Sequence, residues 1–179
     1  MESIKEIYKI GNGPSSSHTM GPKKAADVFL SENQSAHHFE VTLYGSLAAT
    51  GKGHLTDRAI KESFEKEQLT IVWKPKVFLP KHPNAMRFRA FASDNRLLNE
   101  WTCYSIGGGA VIDDNTELET VEIYEHRNMQ EILNWCNMSG KQLWEYVDEF
   151  EDSDIWDYMD EVWTVMTDCI QRGLKREGV

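Results

Sequence analysis

The stretch Ala85-Met-Arg-Phe-Arg-Ala-Phe-Ala92, followed after Ser93-Asp-Asn-Arg96 by Leu97-Leu-Asn-Glu-Trp-Thr-Cys-Tyr-Ser-Ile106, decides the class of fold. Both long runs are rich in residues that favour strands. The four residues between them have the side chains and the length that are typical of a hairpin turn. We therefore predict two paired strands over 85–92 and 97–106.

Other segments on either side of this hairpin add strands and helices. Alternating or β-forming residues predict further strands over 38–44, 69–73 and 110–112. Apolar residues at helical spacing predict helices, which we place at 22–30, 56–64, 128–137, 140–150 and 154–174. The pattern indicates an α+β body over residues 1–116 and an acidic helical C-terminal extension over 117–179 that runs into a linker.

Size, composition and charge restrict the class of protein. With 179 residues and 40% hydrophobic residues, the chain is long and apolar enough for one globular domain, alone or with an appendage. The net charge of −10 argues against nucleic acid or an anionic membrane as the main partner. No apolar run approaches the roughly 20 residues that a bilayer requires. The N-terminus lacks the apolar core of a signal peptide, and we expect a cytoplasmic protein.

The three cysteines are Cys103, Cys136 and Cys169. No pair has the C-x-x-C spacing of a zinc or iron–sulfur motif. Each lies near tryptophan, where a free cysteine usually behaves as a small buried hydrophobic residue. We predict three structural thiols and no metal ligand among them.

The most informative stretch for chemistry is Gly13-Pro-Ser-Ser-Ser-His-Thr-Met-Gly-Pro22. Pro22 suits the first turn of a helix, so the segment before it should be a loop that meets a helix N-terminus. Free N–H groups and hydroxyls at such a place favour an anion, and His18 can transfer protons near neutral pH. The plainer alternative is a loop whose hydroxyls only cap the helix. With a histidine inside the run, we favour an anion or substrate site.

Two further histidines lie in polar turns, His54 in Gly51-Lys-Gly-His54 and His82 in Lys81-His-Pro-Asn84. His18, His54 and His82 can converge on one pocket and supply a base, a proton donor and an orienting donor. Lys52 can hold a carboxylate. As alternatives, His54 caps the following helix, and His82 and Lys52 are ordinary surface residues. Zinc bound by three histidines is less favoured, because no local spacing supports it.

Four stretches of the chain closely resemble the β (N-terminal) domain of bacterial iron–sulfur-dependent L-serine dehydratase, also called L-serine ammonia-lyase. They occur in the same order in the family, and they are Gly13-Pro-Ser-Ser-Ser-His-Thr-Met-Gly-Pro22, Tyr44-Gly-Ser-Leu-Ala-Ala-Thr-Gly-Lys-Gly-His54, His82-Pro-Asn-Ala-Met-Arg-Phe88 and Tyr104-Ser-Ile-Gly-Gly-Gly109. The first two are long and specific. The resemblance extends over nearly everything from residue 5 to residue 179.

The resemblance implies a lyase that converts L-serine to pyruvate and ammonia without pyridoxal phosphate. In the family, a 4Fe-4S cluster is held by cysteines of the α domain, which follows the β domain or is a separate subunit. The partners implied are therefore L-serine and a cluster-bearing α domain. The family's β domain is also similar to the allosteric substrate-binding domain of certain phosphoglycerate dehydrogenases. That similarity implies a mostly antiparallel sheet and pairing as a homodimer.

The resemblance also assigns roles to residues of this chain. His18 and His54 match family histidines placed at the active site, and His82 with Asn84 matches a loop that reaches into it. The candidate substrate-binding residues are Ser15, Ser16, Ser17, Thr19 and Lys52. Two hypotheses follow: a β domain that contributes these side chains to a composite active site, or a regulatory module that binds L-serine or a small anion without catalysing its conversion. The motif does not decide which histidine removes the Cα proton.

Overall fold

The computed structural model describes residues 1–64, 68–116 and 121–177. The chain divides into two compact units, residues 11–118 and residues 1–10 with 119–179. We call them the sheet unit and the helical unit. The predicted boundary between residues 116 and 117 adjoins residues 117–120, which lie outside the described residues. Residues 178 and 179 of the predicted linker also lie outside them.

Over residues 11–64 and 68–116, the sheet unit contains five strands, three α-helices and one short turn of π-helix. In chain order they are the π-turn Ser16–Met20, α1 Gly21–Glu32, β1 His38–Tyr44, α2 Gly45–Thr50, α3 Thr56–Lys61, β2 Leu69–Lys74, β3 Ala85–Phe91, β4 Leu97–Gly107 and β5 Ala110–Asp113. The strands predicted from the hairpin stretch are confirmed as β3 and β4, with Phe88 paired to Trp101.

The five strands form one mixed sheet in the order β2-β1-β3-β4-β5. Only β1 and β2 pair in parallel, whereas β1–β3, β3–β4 and β4–β5 are antiparallel. The parallel pair is connected through α2 and α3, because parallel strands need a long crossover. The α+β class is confirmed, and the sheet is mostly antiparallel as the resemblance implied.

Alternation along the strands places one apolar face of the sheet under the three helices. Phe39, Val41 and Leu43 of β1 are buried together with Phe88 of β3 and Phe29 of α1. The intervening residues of β1 point to the other face. There Thr42 is buried, and Tyr44 is buried in a second, smaller cluster with Ala85, Tyr104 and Ile112. The helices are thereby held on one side of the sheet, and the histidine-bearing turns adjoin them.

Two segments before and after β1 differ from the sequence prediction. The predicted serine-rich loop is helical, because residues 16–20 form a π-turn that continues directly into α1. The free N-terminus of this helix is therefore at Ser15 and not near Pro22. The small-residue segment after β1, for which we predicted no helix or strand, forms the short helix α2.

The helical unit contains α4 Met129–Ser139, α5 Leu143–Phe150 and α6 Ile155–Lys175. Tyr124, Trp135, Tyr146 and Phe150 form its aromatic core. No helix among the described residues is long and apolar enough to cross a membrane.

Residues 1–10 belong to the helical unit, although they begin the predicted body. The Ile123 N–H donates to the Met1 carbonyl at 3.0 Å. Glu151 accepts from the Ser3 hydroxyl at 2.6 Å and from the Ile4 N–H at 2.8 Å. The N-terminal residues are thus fixed by hydrogen bonds to the helical unit.

Candidate functional site

The π-turn presents His18 to the interior of the sheet unit. The N–H groups of His18 and Thr19 both donate to the Ser15 carbonyl, at 3.1 and 2.8 Å. The Thr19 hydroxyl reaches the same carbonyl and that of Asn12, so it closes the turn from the side. The His18 side chain is only 8% exposed. The turn therefore places an imidazole in a buried position.

Hydroxyl groups contact both nitrogens of the His18 ring. Nδ1 lies 3.1 Å from Ser17 Oγ and 3.4 Å from Ser15 Oγ. Nε2 lies 3.0 Å from Thr50 Oγ1 and 3.5 Å from Ser46 Oγ, both on α2. The imidazole is thereby held between the serine turn and the first helix after β1.

His54 brings a second imidazole to the same place. Its ring centroid lies 4.7 Å from that of His18, at an interplanar angle of 60°. The His54 N–H donates to the Thr50 carbonyl at 3.2 Å, and Leu55 follows in the left-handed conformation with φ of 60°. Two rings from residues 36 positions apart are therefore adjacent, although nothing in their spacing predicts it.

The environment favours the neutral form of His18. Burial lowers the pKa of His18, and the nearby His54 lowers it further, whereas the Ser46 carbonyl opposes them. Desolvation and a like charge both disfavour the protonated ring. Near pH 7 the His18 ring is therefore available to accept a proton.

The loop with His82 is attached to the same helix α2. The Ser46 N–H donates to the Pro83 carbonyl at 3.0 Å, and Ser46 Oγ is the atom that lies 3.5 Å from His18. His82 Nδ1 accepts from the Asn84 N–H at 3.1 Å, so the proton of the neutral ring is on Nε2. Ser46 thus connects the His82 loop with the His18 turn.

Gly45 permits this close approach. It adopts φ of +49°, and a Cβ added to it would lie 2.6 Å from the Pro83 carbonyl oxygen. A side chain at this position would push the His82 loop away from α2. The glycine of the Tyr44-Gly-Ser motif is therefore needed for the arrangement of the site.

Asn84 leaves a buried acceptor beside β4. Its Nδ2 donates to the Ser105 carbonyl at 3.3 Å, and the Ser105 N–H donates back to the Asn84 carbonyl at 2.9 Å. Within the described part of the chain, Asn84 Oδ1 and Ser105 Oγ are buried without a hydrogen-bond partner. Such atoms are uncommon in folded proteins.

The structure does not bring all predicted site residues together. Lys52 is exposed, and its Nζ lies 5.7 Å above the ring of Trp73. The Thr19 hydroxyl is used by backbone carbonyls, and Ser16 accepts the Gly21 N–H with its carbonyl. Ser15 and Ser17 are the predicted hydroxyl residues whose side chains contact His18.

The sequence analysis missed two residues of the site, Ser46 and Thr50. Both lie in a small-residue segment that we did not expect to be helical. Their spacing of four residues places them on one face of α2, and both oxygens face the His18 ring. A pair of hydroxyls at positions i and i+4 was the signal that could have identified them.

The cysteines of this chain do not fit a 4Fe-4S cluster. Cys103 is buried in the core of the sheet unit, and burial raises the pKa of its thiol well above the usual value. Cys136 and Cys169 belong to the helical unit, where Cys136 is buried and Cys169 is exposed, contrary to the prediction of a buried thiol. Among the described residues, no three histidine, cysteine or acidic side chains are grouped so that they could hold a metal ion.

Comparison with known proteins identifies the class to which this fold and site belong. The model of the family "Serine dehydratase beta chain" matches residues 3–72 and 61–116. The chain therefore belongs to the serine dehydratase beta chain family.

Among curated proteins, the chain is similar to L-serine dehydratase of Haemophilus influenzae, at 30% identity over 100% of the chain and 50% of the relative. It is 31% identical to L-serine dehydratase TdcG of Escherichia coli over the same shares. L-serine dehydratase of Helicobacter pylori is 33% identical over 81% of the chain and 42% of the relative. The chain spans about half the length of these relatives or less.

Proposed function

We propose that this chain is the β-type part of an L-serine dehydratase and contributes His18 and His54 to the conversion of L-serine to pyruvate and ammonia. Membership in the beta chain family and similarity to L-serine dehydratases along the whole chain support the reaction. The observation that carries the role of the residues is the pair of imidazole rings 4.7 Å apart beside the serine turn.

The reaction requires a proton to leave Cα and a hydroxyl group to leave Cβ. The resulting aminoacrylate tautomerises to an imine, which water hydrolyses to pyruvate and ammonia. In our proposal, His18 accepts the Cα proton because its ring is buried and neutral near pH 7. His54 lies nearer to solvent and donates the proton that leaves with the hydroxyl group.

The hydroxyls of the serine turn bind and orient the substrate. Ser15 and Ser17 lie beside His18, at the free N-terminus of the helix formed by the π-turn and α1. A carboxylate is favoured at such a helix end because N–H groups and the helix dipole point toward it. We propose that the carboxylate of L-serine binds there.

The chain spans about half the length of these relatives, and we propose that an α-type partner completes the enzyme. Because the cysteines of this chain do not fit a 4Fe-4S cluster, the proposal assigns that cluster to the partner. The chain by itself is then expected to bind L-serine without turning it over.

The test is pyruvate formation by the chain combined anaerobically with an α-type L-serine dehydratase partner. His18→Ala and His54→Ala should each reduce turnover by about 10²–10⁴-fold, the usual contribution of a general acid or base. Binding of L-serine to the chain, measured by calorimetry, should change far less. His37→Ala is the matched control, because His37 is an exposed imidazole of the same unit.

Two outcomes separate this proposal from the regulatory hypothesis. Loss of turnover with retained binding and a normal His37→Ala control supports the catalytic role. Normal turnover by both variants together with weakened binding of L-serine would show that the same residues form a regulatory site, and would contradict the proposal.

A further inference from the structure

The hydroxyl of Thr50 contacts both the Ser46 carbonyl and the His18 ring. A threonine hydroxyl has one hydrogen to donate and two lone pairs that accept. Thr50 Oγ1 lies 2.9 Å from the Ser46 carbonyl, one helical turn earlier, and 3.0 Å from His18 Nε2. We take the Thr50 hydroxyl to donate to the carbonyl, because this contact is the shorter of the two and the carbonyl can only accept.

The oxygen of Thr50 therefore faces Nε2 with a lone pair. If Nε2 were unprotonated, two lone pairs would face each other at 3.0 Å, and a nitrogen of the buried His18 ring would lack a donor at this contact. If Nε2 carries the proton, it donates to Thr50 and the contact becomes a hydrogen bond. The Ser46 hydroxyl lies at 3.5 Å, where it can contribute only a weak bond to Nε2.

The other side of the ring is compatible with the same tautomer. Ser17 Oγ lies 3.1 Å and Ser15 Oγ 3.4 Å from Nδ1, and the two oxygens are 3.4 Å apart. Each hydroxyl can rotate to donate to an unprotonated Nδ1. Hydroxyls of the serine turn thus satisfy the nitrogen that Thr50 leaves without a proton.

We propose that Thr50 is a positioning residue that holds His18 as the Nε2–H tautomer, so that Nδ1, beside Ser15 and Ser17, is its proton-accepting atom. Thr50 acts through the imidazole and does not touch the reacting atoms. The catalytic meaning of this inference rests on the proposed function, because it names the atom through which His18 would remove a proton. The tautomer itself is a property of the chain and can be measured without turnover.

The experiment is a two-bond ¹H–¹⁵N correlation spectrum of the full chain, labelled at histidine nitrogens and recorded near pH 7.5. The signals of His18 are assigned by their loss in His18→Gln. We expect His18 to show a protonated Nε2 and an unprotonated Nδ1. Thr50→Val, which keeps the shape but removes the hydroxyl, should shift the population toward a mixture of tautomers, and Thr50→Ser should restore the single one.

Thr164→Val is the matched control. Thr164 is an exposed helical threonine whose hydroxyl also donates to the carbonyl four residues earlier, at 2.9 Å, but it lies in the helical unit. It should leave the His18 signals unchanged. A protonated Nδ1 in the unsubstituted chain, or an unchanged tautomer in folded Thr50→Val, would overturn the inference.

If Thr50→Val does not fold, the spectrum of the unsubstituted chain still decides, because the inference requires Nε2–H there. If His18 shows the expected tautomer but the chain supports no dehydratase turnover, only the proposed function is contradicted. An Nδ1–H tautomer in an active enzyme would contradict this inference alone.

Discussion

The sheet unit and the helical unit each contain a histidine whose Nδ1 lies 3.1 Å from a hydroxyl oxygen. For His18 the oxygen belongs to Ser17, and for His126 it belongs to Tyr146. His126 otherwise packs against aromatic rings, with the Phe150 centroid at 6.3 Å. His18 has hydroxyls at both nitrogens and a second imidazole beside it. A single hydrogen bond thus holds the His126 ring in place, whereas the polar contacts on both sides of His18 and its imidazole neighbour are the features on which the proposed proton transfer rests.

The largest expected difference between the units concerns two glycines with positive φ. Gly45→Ala should destabilise the sheet unit by about 2–4 kcal/mol, because backbone strain is added to a close contact with the Pro83 carbonyl. Gly140→Ala in the helical unit should cost only about 1–2 kcal/mol, because nothing lies within 4 Å of the added Cβ. Urea unfolding followed by hydrogen exchange resolves the two units. Equal costs would show that the contact with Pro83 is unimportant.

The next effect tests what holds residues 1–10 in the helical unit. Glu151→Ala removes the acceptor for the Ser3 hydroxyl, the Ile4 N–H and the Tyr124 hydroxyl, and should cost about 2–3 kcal/mol. Hydrogen exchange at residues 3–7 should also become faster. Glu149→Ala is the control, because its exposed ion pair with Lys141 is worth about 0–1 kcal/mol. Unchanged exchange at residues 3–7 in Glu151→Ala would contradict this explanation.

The smallest effect is a dependence of stability on pH. Because the folded pKa of His18 is lowered below its ordinary value of 6.5, the unfolded chain binds the proton more readily. The free energy of unfolding is therefore highest above pH 6.5, where His18 is neutral in both states. It decreases as pH falls through the lower folded pKa of His18. Thermal unfolding between pH 7.5 and pH 5 should therefore show a steeper loss in the unsubstituted chain than in His18→Gln. Identical slopes would mean that His18 titrates as it does in the unfolded chain.

Much of the fold could be predicted from local patterns. The hairpin of β3 and β4 follows from strand-forming runs around a four-residue turn, and α4 to α6 follow from apolar residues at helical spacing. Helix α2 was missed because five of its six residues are small and the segment carries no amphipathic pattern. The placement of residues 1–10 depends on contacts with residues more than 100 positions away, which no local pattern shows.

The candidate site could be predicted only in part. His18 and His54 were identified from their residue types and motifs, but their adjacency results from the crossover between β1 and β2. Lys52 was assigned to the substrate because of its charge, yet its stem directs the ammonium group over Trp73. Thr50 carries no charge and was not considered, although its hydroxyl lies 3.0 Å from the neighbouring imidazole.

The most direct test of the account is the dependence of kcat/KM on pH for the chain combined with an α-type partner, because this profile reports the titration of the free enzyme. We predict an acidic limb with a midpoint below 6.5, the ordinary pKa of histidine, that disappears in His18→Gln together with most of the activity. A limb at or above 6.5, or the same limb in an active His18→Gln enzyme, would contradict the claim that buried, neutral His18 is the base.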